Sequence, residues 1–170
     1  DPRTGFSRWG GFRPPAGQGL PSGLTIPRAT IKTDYLRPIK WSGGRLTLLD
    51  QRKLPGKIQY LRPRTVAHVV QAIRTLAVRG APAIGIAAAY GVVLGLKKHA
   101  VQPDVSAAAL SPAIEKDIEL LRSSRPTAVN LFWALDRMSR RFQSLPAGTS
   151  ARSAVKSLEA EAVEIHRDDE

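Results

Sequence analysis

The stretch from Val78 to Gly91, VRGAPAIGIAAAYG, constrains the fold of this chain more than any other. It contains a single charge, Arg79, which is followed at once by Gly, Ala and Pro. Proline is well tolerated in the first turn of a helix, because the N–H group that it lacks has no partner there. The stretch therefore predicts a helix that begins at Pro82 and runs to about Lys98.

This helix carries no charge between Gly80 and Leu96, so we expect it to be buried on all sides. Ala81, Gly85 and Ala89 lie on one face, where their small side chains let another backbone come close. A membrane span is the alternative, but the run is at the short limit for crossing a bilayer and its glycines and alanines are weakly apolar. We therefore predict a core helix and no membrane partner.

Arg79 lies at the junction between this helix and the one before it, which Gly80 is expected to close in a left-handed cap. The first N–H groups of the new helix, such as those of Ala83 and Ile84, have no partner inside it and carry the positive end of the helix dipole. An arginine beside such a helix start is typical of an anion site. The alternative is that Arg79 is a solvated charge at the end of the preceding helix.

The stretch SSRPTAVN, from Ser123 to Asn130, repeats this pattern. Arg125 precedes Pro126, where a helix is predicted to begin and from which it runs to Phe142. Three neutral donors accompany it: Ser124, Thr127 and Asn130. Two arginines at two helix starts in one small domain indicate a shared anion, and a phosphate suits them best. We therefore expect the two helices to converge at their N-terminal ends.

The whole chain divides into three parts. Residues 1–36 are rich in Gly, Pro and Arg without a regular apolar period, which predicts a disordered basic tail. Residues 37–62, with Ile58 in a third strand, alternate apolar and polar side chains around a Ser-Gly-Gly turn, which predicts a small antiparallel sheet. Residues 63–170 have helical periodicity, with helix starts at Thr65 and near Ser150. The first helical stripe comprises Val66, Val69, Val70, Ile73 and Leu76.

The predicted fold class is α+β and mainly helical: a three-stranded antiparallel meander followed by a helical bundle. The chain begins with Asp1 and ends at Glu170 inside a predicted helix that has no Gly or Asn to close it, so we expect a fragment truncated in its last helix.

Composition limits the chemistry open to this chain. Its 170 residues include no cysteine, which removes disulfides, thiolate metal sites and a cysteine nucleophile. The three histidines match no metal spacing, and no glycine-rich nucleotide loop is present, so we expect neither a metal nor a cofactor. The net charge is +12, and residues 1–65 hold 13 Lys and Arg against 3 Asp and Glu. Such a basic segment is more often a solvated surface than a nucleic-acid site, although Arg mixed with aromatic residues can bind RNA.

Two stretches, VRGAPAIGIAAAYG (Val78–Gly91) and SRPTAVNLFWALDRM (Ser124–Met138), resemble the methylthioribose-1-phosphate isomerases of methionine salvage. A third, LTLLDQRKLPGKIQYL (Leu46–Leu61), is similar to the N-terminal part of that family. The resemblance covers about Arg37 to Glu170. Related families are the ribose-1,5-bisphosphate isomerases and the regulatory subunits of translation initiation factor 2B, which are the alternative functions.

The resemblance implies a cytoplasmic, homodimeric aldose–ketose isomerase with a helical N-terminal domain and a Rossmann-like C-terminal domain. It implies substrate binding by Arg79, Gly80, Ala81 and Arg125. The catalytic cysteine and aspartate of the family lie in the C-terminal domain, so no catalytic residue is assigned in this chain. By itself the chain is then expected to be inactive.

Overall fold

The computed structural model of this chain describes residues 36–102 and 104–169. The disordered tail predicted for residues 1–36 therefore lies outside the described residues, apart from Leu36. Within the described part, strands and helices contribute side chains to one hydrophobic core.

Three antiparallel strands form the predicted sheet: β1 (Ile39–Ser42), β2 (Arg45–Leu49) and β3 (Tyr60–Leu61), in that order. The turn between β1 and β2 is Gly43–Gly44, whose φ angles of 56° and 71° suit glycine. Ile58, which is predicted in the third strand, precedes β3 and is 56% exposed. β3 is therefore shorter than predicted, and the connection before it contains a 3₁₀ turn, Gln51–Lys53.

Five α-helices follow the sheet in the described part of the chain, which confirms the α+β, mainly helical fold class. They are α1 (Val66–Arg74), α2 (Ala81–His99), α3 (Ser111–Arg122), α4 (Val129–Gln143) and α5 (Ala151–Arg167). Thr65 caps α1 by accepting a hydrogen bond from the His68 N–H, and Ser150 caps α5 through the Ser153 N–H. Both predicted helix starts are confirmed.

α2 is the central helix, and it contacts α1, α3, α4 and α5. All its residues from Ile84 to Leu96 are buried, as its uncharged sequence predicts. The length and apolar composition of α2 would allow it to cross a membrane, but 72% of its most apolar window is buried inside the fold. The burial accounts for the apolar sequence without a bilayer.

The connection between α1 and α2 differs from the predicted joint. α1 ends at Arg74, and Leu76, not Gly80, adopts the left-handed conformation after it, with φ of 59°. Leu76 is also 42% exposed, so its predicted place in the buried stripe is wrong. Gly80 is instead the residue before α2, where its φ of 92° disfavours any side chain. Glycine is therefore needed for the entry into α2 and not for the exit from α1.

The sheet packs on α2 and α5. The ring of Trp41 stacks on the ring of Tyr90 in α2, with 4.6 Å between centroids. Trp41 Nε1 also donates to Glu159 Oε1 of α5 at 2.7 Å. Since a sheet this small is not stable alone, the helices on one face supply the apolar surface that it needs.

The last helix ends without a left-handed residue among those described. Asp168 follows Arg167 with right-handed φ and ψ angles of −60° and −14°. An acidic residue at this end of a helix is unfavourable, but Arg137 Nη1 of α4 donates to Asp168 Oδ2 at 2.6 Å and offsets it. Asp168 is thus held against α4, and the truncation of the helix stays a prediction.

Candidate anion-binding site

Four helix ends meet at one end of the bundle and carry both predicted joints. The C-terminal ends of α1 and α3 are joined by Arg74, whose Nη2 donates to Ser123 Oγ at 2.9 Å. α2 and α4 are in contact near their N-terminal ends at Gly85, where an added Cβ would lie 2.8 Å from the Asn130 carbonyl oxygen. The predicted convergence of the two helix starts is therefore confirmed, and Gly85 allows the close approach.

Both helix starts leave their first N–H groups uncapped. Gly80 and Ala128 occupy the capping positions, and neither makes a side-chain cap. Four N–H groups have no hydrogen-bond partner among the described residues: those of Ala81, Ala83, Val129 and Asn130. The Ile84 N–H, which is predicted to be free, donates to the Gly80 carbonyl at 3.1 Å. The four remaining donors form the positive ends of two helices, which attract anions.

The two arginines beside these helix starts form no ion pair with a described carboxylate. Arg79 is exposed, and its Nε donates to the Leu76 carbonyl oxygen at 3.2 Å. Arg125 is half-buried. Because no described carboxylate neutralises either guanidinium, both charges are available to a bound anion.

The second joint differs from its prediction at the helix start. α4 begins at Val129, three residues after Pro126. A turn precedes it, in which the Ala128 N–H donates to the Arg125 carbonyl oxygen at 3.1 Å. The residue before a proline avoids helical angles, but here the turn delays the helix beyond the proline itself.

Ser124, a predicted donor, is not available to a ligand. It is 6% exposed, and its hydroxyl donates to the Leu121 carbonyl oxygen at 2.6 Å. This bond instead ties the end of α3 to the turn that carries Arg125. Thr127 is exposed and Asn130 is half-buried, so both remain candidates.

A buried carboxylate that sequence reasoning missed supports the first joint. Asp50 is 1% exposed, and its oxygens accept from Arg52 Nε at 2.8 Å and Arg52 Nη2 at 2.7 Å. These hydrogen bonds hold the pKa of Asp50 below its ordinary value, although burial acts the other way. The next residue, Gln51, donates its N–H to the Ala77 carbonyl at 2.9 Å, two residues before Arg79. The signal in the sequence is a carboxylate directly after the apolar run LTLL.

The groups that form this site bind charge and do not transfer protons. Guanidinium groups stay protonated at neutral pH, and backbone N–H groups only donate. A general acid or base would be a histidine, a carboxyl or a similar side chain within hydrogen-bond reach of the substrate. Among residues 36–102 and 104–169, no three potential metal ligands of the His, Asp or Glu type come together. The arrangement is suited to holding a phosphate.

The sequence is similar to known proteins across this region. The model of the initiation factor 2 subunit family matches residues 77–170, which include both joints. A methylthioribose-1-phosphate isomerase of Pseudomonas aeruginosa is 47% identical over 139 residues, or 82% of this chain and 37% of that protein. One from Alkalilimnicola ehrlichii is 49% identical over 138 residues, or 81% and 38%. The chain thus spans little more than a third of the length of these relatives.

Two solved structures share the fold. One is the translation initiation factor eIF-2B subunit delta from A. fulgidus, with a TM-score of 0.69 and 34% identity over 78% of this chain and 37% of that chain. The other is 5-methylthioribose 1-phosphate isomerase from Pyrococcus horikoshii, with a TM-score of 0.68 and 30% identity over 78% and 36%. The relatives therefore include an enzyme and a translation factor.

Proposed function

This chain belongs to the initiation factor 2 subunit family, and we propose that it is the substrate-binding part of a methylthioribose-1-phosphate isomerase. The observation that carries the proposal is the convergence of two uncapped helix starts beside Arg79 and Arg125. The isomerase name of the curated relatives, at 47% and 49% identity, supports the choice of reaction. The proposed ligands of the phosphate are Arg79, Gly80, Ala81 and Arg125.

In the proposed reaction, 5-methylthioribose 1-phosphate becomes 5-methylthioribulose 1-phosphate. With phosphate on C1 the sugar has no free aldehyde, so the bond between C1 and the ring oxygen must break first. The ring oxygen takes up a proton, a hydrogen moves from C2 to C1, and the C2 hydroxyl loses its proton as it becomes a carbonyl. Atoms and charge are conserved, and no cofactor is needed.

The residues of this chain contribute by position and charge. A phosphate held by two guanidinium groups and by helix-start N–H groups cannot turn, so C1 and C2 stay aligned for the hydrogen transfer. The acid–base groups belong, in this proposal, to the part of the isomerase relatives that the chain does not span. The chain alone is then expected to bind the substrate without converting it.

A chimera tests the proposed activity. The matching 139-residue stretch of this chain replaces its counterpart in the Pseudomonas aeruginosa relative. We expect the chimera to convert methylthioribose 1-phosphate to the ketose, because the site residues come from this chain. A chimera that is folded by circular dichroism but inactive, beside an active parent enzyme, contradicts the proposal.

Single substitutions in the chimera test the site. Arg79→Ala and Arg125→Ala should each lower kcat/KM by roughly tenfold or more, since a hydrogen bond to a charged group contributes about 1.5–3 kcal/mol. Arg140→Ala is the matched control, because Arg140 is exposed near the other end of α4. If all three substitutions lower kcat/KM equally, the loss comes from the overall positive charge of the protein and not from the arginines beside the two helix starts.

The alternatives predict other outcomes of the same assay. A ribose-1,5-bisphosphate isomerase would convert the bisphosphate faster than the methylthio sugar. A regulatory subunit would bind a sugar phosphate without turnover, and the 34% identity to the A. fulgidus initiation factor subunit is the observation in its favour. We favour the isomerase because its curated relatives are more similar in sequence.

We also propose that the protein acts as a cytoplasmic homodimer, as the resemblance implies. Light scattering after gel filtration measures the mass, and cell fractionation measures the compartment. A monomer at micromolar concentration or a membrane-bound pool contradicts this part of the proposal.

A further inference from the structure

Asp50 is a charged side chain that is shielded from solvent, largely by Arg52, and its contacts explain how it is tolerated. It follows β2 directly, and its backbone N–H donates to the Gln59 carbonyl at 2.8 Å. Its Oδ1 accepts from the Arg52 N–H at 3.2 Å, which caps the 3₁₀ turn Gln51–Lys53. A buried carboxylate costs stability unless it is paired and hydrogen-bonded. The same contacts fix the position of the turn against the sheet.

The turn is hydrogen-bonded to the segment that carries Arg79. The Gln51 N–H donates to the Ala77 carbonyl at 2.9 Å, across 26 residues of sequence. Ala77 and Val78 are 0% and 1% exposed, and the Val78 N–H donates to the Ala72 carbonyl at 3.2 Å. The backbone before Arg79 is therefore held from both sides, while its side chain remains exposed.

We propose that Asp50 is a positioning residue, which sets the guanidinium of Arg79 through the 3₁₀ turn and the hydrogen bond from Gln51 to Ala77. The inference rests on the proposed role of Arg79 in phosphate binding. Asp50 itself touches no substrate. Its removal loosens the turn, lengthens the bond to Ala77 and lets Arg79 leave the joint.

The test compares two carboxylates in the 170-residue chain by NMR, with inorganic phosphate as the probe. Asp50→Ala is the test variant. Asp117→Ala is the control, because Asp117 Oδ2 also pairs at 2.9 Å, but with His99, the last residue of α2. The measured quantities are hydrogen exchange of the Gln51 amide, the amide shifts of residues 79–81, and the dissociation constant of phosphate.

For Asp50→Ala we expect faster exchange of the Gln51 amide, altered shifts at residues 79–81 and phosphate affinity weaker by about tenfold, the effect of losing one charged hydrogen bond. Asp50→Asn keeps one oxygen that can accept from the Arg52 N–H, so it should show the same changes with a smaller amplitude. This variant keeps the test possible if Asp50→Ala does not fold. Asp117→Ala should lower the melting temperature and leave all three quantities unchanged.

Two failures are distinguishable. If Asp50→Asn and Asp50→Ala lower only the melting temperature, with the Gln51 exchange and the Arg79 shifts as in the unaltered chain, the positioning role is overturned. If those signals respond but the unaltered chain binds neither phosphate nor methylthioribose 1-phosphate, the link from Asp50 to Arg79 stands and the proposed function fails.

Discussion

Replacement of Gly85 by alanine tests whether α2 and α4 meet as closely as a shared site requires. A Cβ at this position would lie 2.8 Å from the carbonyl oxygen of Asn130 and 3.3 Å from its carbonyl carbon. Both atoms belong to the backbone in the first turn of α4, so they do not swing aside as the end of a side chain does. One of the two helices must therefore shift.

Two opposing effects determine the size of the change. Alanine in a helix interior is favoured over glycine by about 1 kcal/mol. Overpacking against a rigid neighbour costs about 1–3 kcal/mol. The expected result for Gly85→Ala is a loss of about 1 kcal/mol in the free energy of unfolding, together with weaker phosphate binding, because α4 moves away from α2.

Gly91→Ala in the same helix is the matched control. Its added Cβ would meet Leu121 Cδ2 at 3.1 Å and Val69 Cγ1 at 3.3 Å, which are side-chain atoms and not backbone, at longer distances than at Gly85. We expect the unfolding free energy to stay the same or rise by up to about 1 kcal/mol, as helix propensity predicts. Urea unfolding followed by circular dichroism measures both variants. A Gly85→Ala chain as stable as Gly91→Ala, with unchanged phosphate affinity, would refute the close contact.

Three further predictions concern stability. Hydrogen bonds from Arg52 lower the pKa of Asp50 in the folded chain. The stabilisation that this pair adds to the free energy of unfolding is therefore complete above about pH 4, and it is lost as the pH falls through the folded-state pKa. Arg52→Met should make the free energy of unfolding, measured with urea, less dependent on pH below about pH 4. An unchanged slope of this free energy against pH would contradict the pairing of Arg52 with Asp50. Leu76→Asn should raise the unfolding free energy by about 0.5–1 kcal/mol, since asparagine tolerates the φ of 59°, and a lower melting temperature would count against strain there. Arg137→Met should lower the free energy of unfolding by about 1 kcal/mol, because Arg137 donates hydrogen bonds to Glu161 and Asp168. The loss should be smaller in about 1 M salt, which screens these ion pairs. Equal losses at both salt concentrations would exclude an ionic origin.

The features that depend on neighbouring residues were predictable, and those that depend on distant contacts were not. The buried helix α2 and the caps at Thr65 and Ser150 follow from local composition and side-chain chemistry. Glycine is the usual left-handed residue, so the sequence favours Gly80 as the cap of α1. The structure uses Leu76 instead, because burial of Ala77 and Val78 determines the path of the chain.

The same distinction applies to the candidate site. Arg79 and Arg125 are recognisable because each precedes a proline near a helix start, and the contact at Gly85 follows from the small face of α2. The proposed role of Asp50 acts through Gln51 and Ala77, and no local pattern shows that the turn after β2 contacts the loop after α1. A carboxylate after an apolar run indicates only that a charge enters the core.

The two arginines are held by separate supports, so the proposed phosphate site depends on the sheet as well as on the bundle. Arg79 follows a backbone that is bonded to the turn after β2, through Gln51 and Ala77. Arg125 lies in a turn that is bonded to the end of α3 by Ser124. The two supports are connected by the packing of α2 on α4 at Gly85 and by the hydrogen bond from Arg74, at the end of α1, to Ser123, at the end of α3. A phosphate that binds both arginines, as we propose, would therefore depend on both loops, and the close contact at Gly85 is one of the connections that hold these loops together.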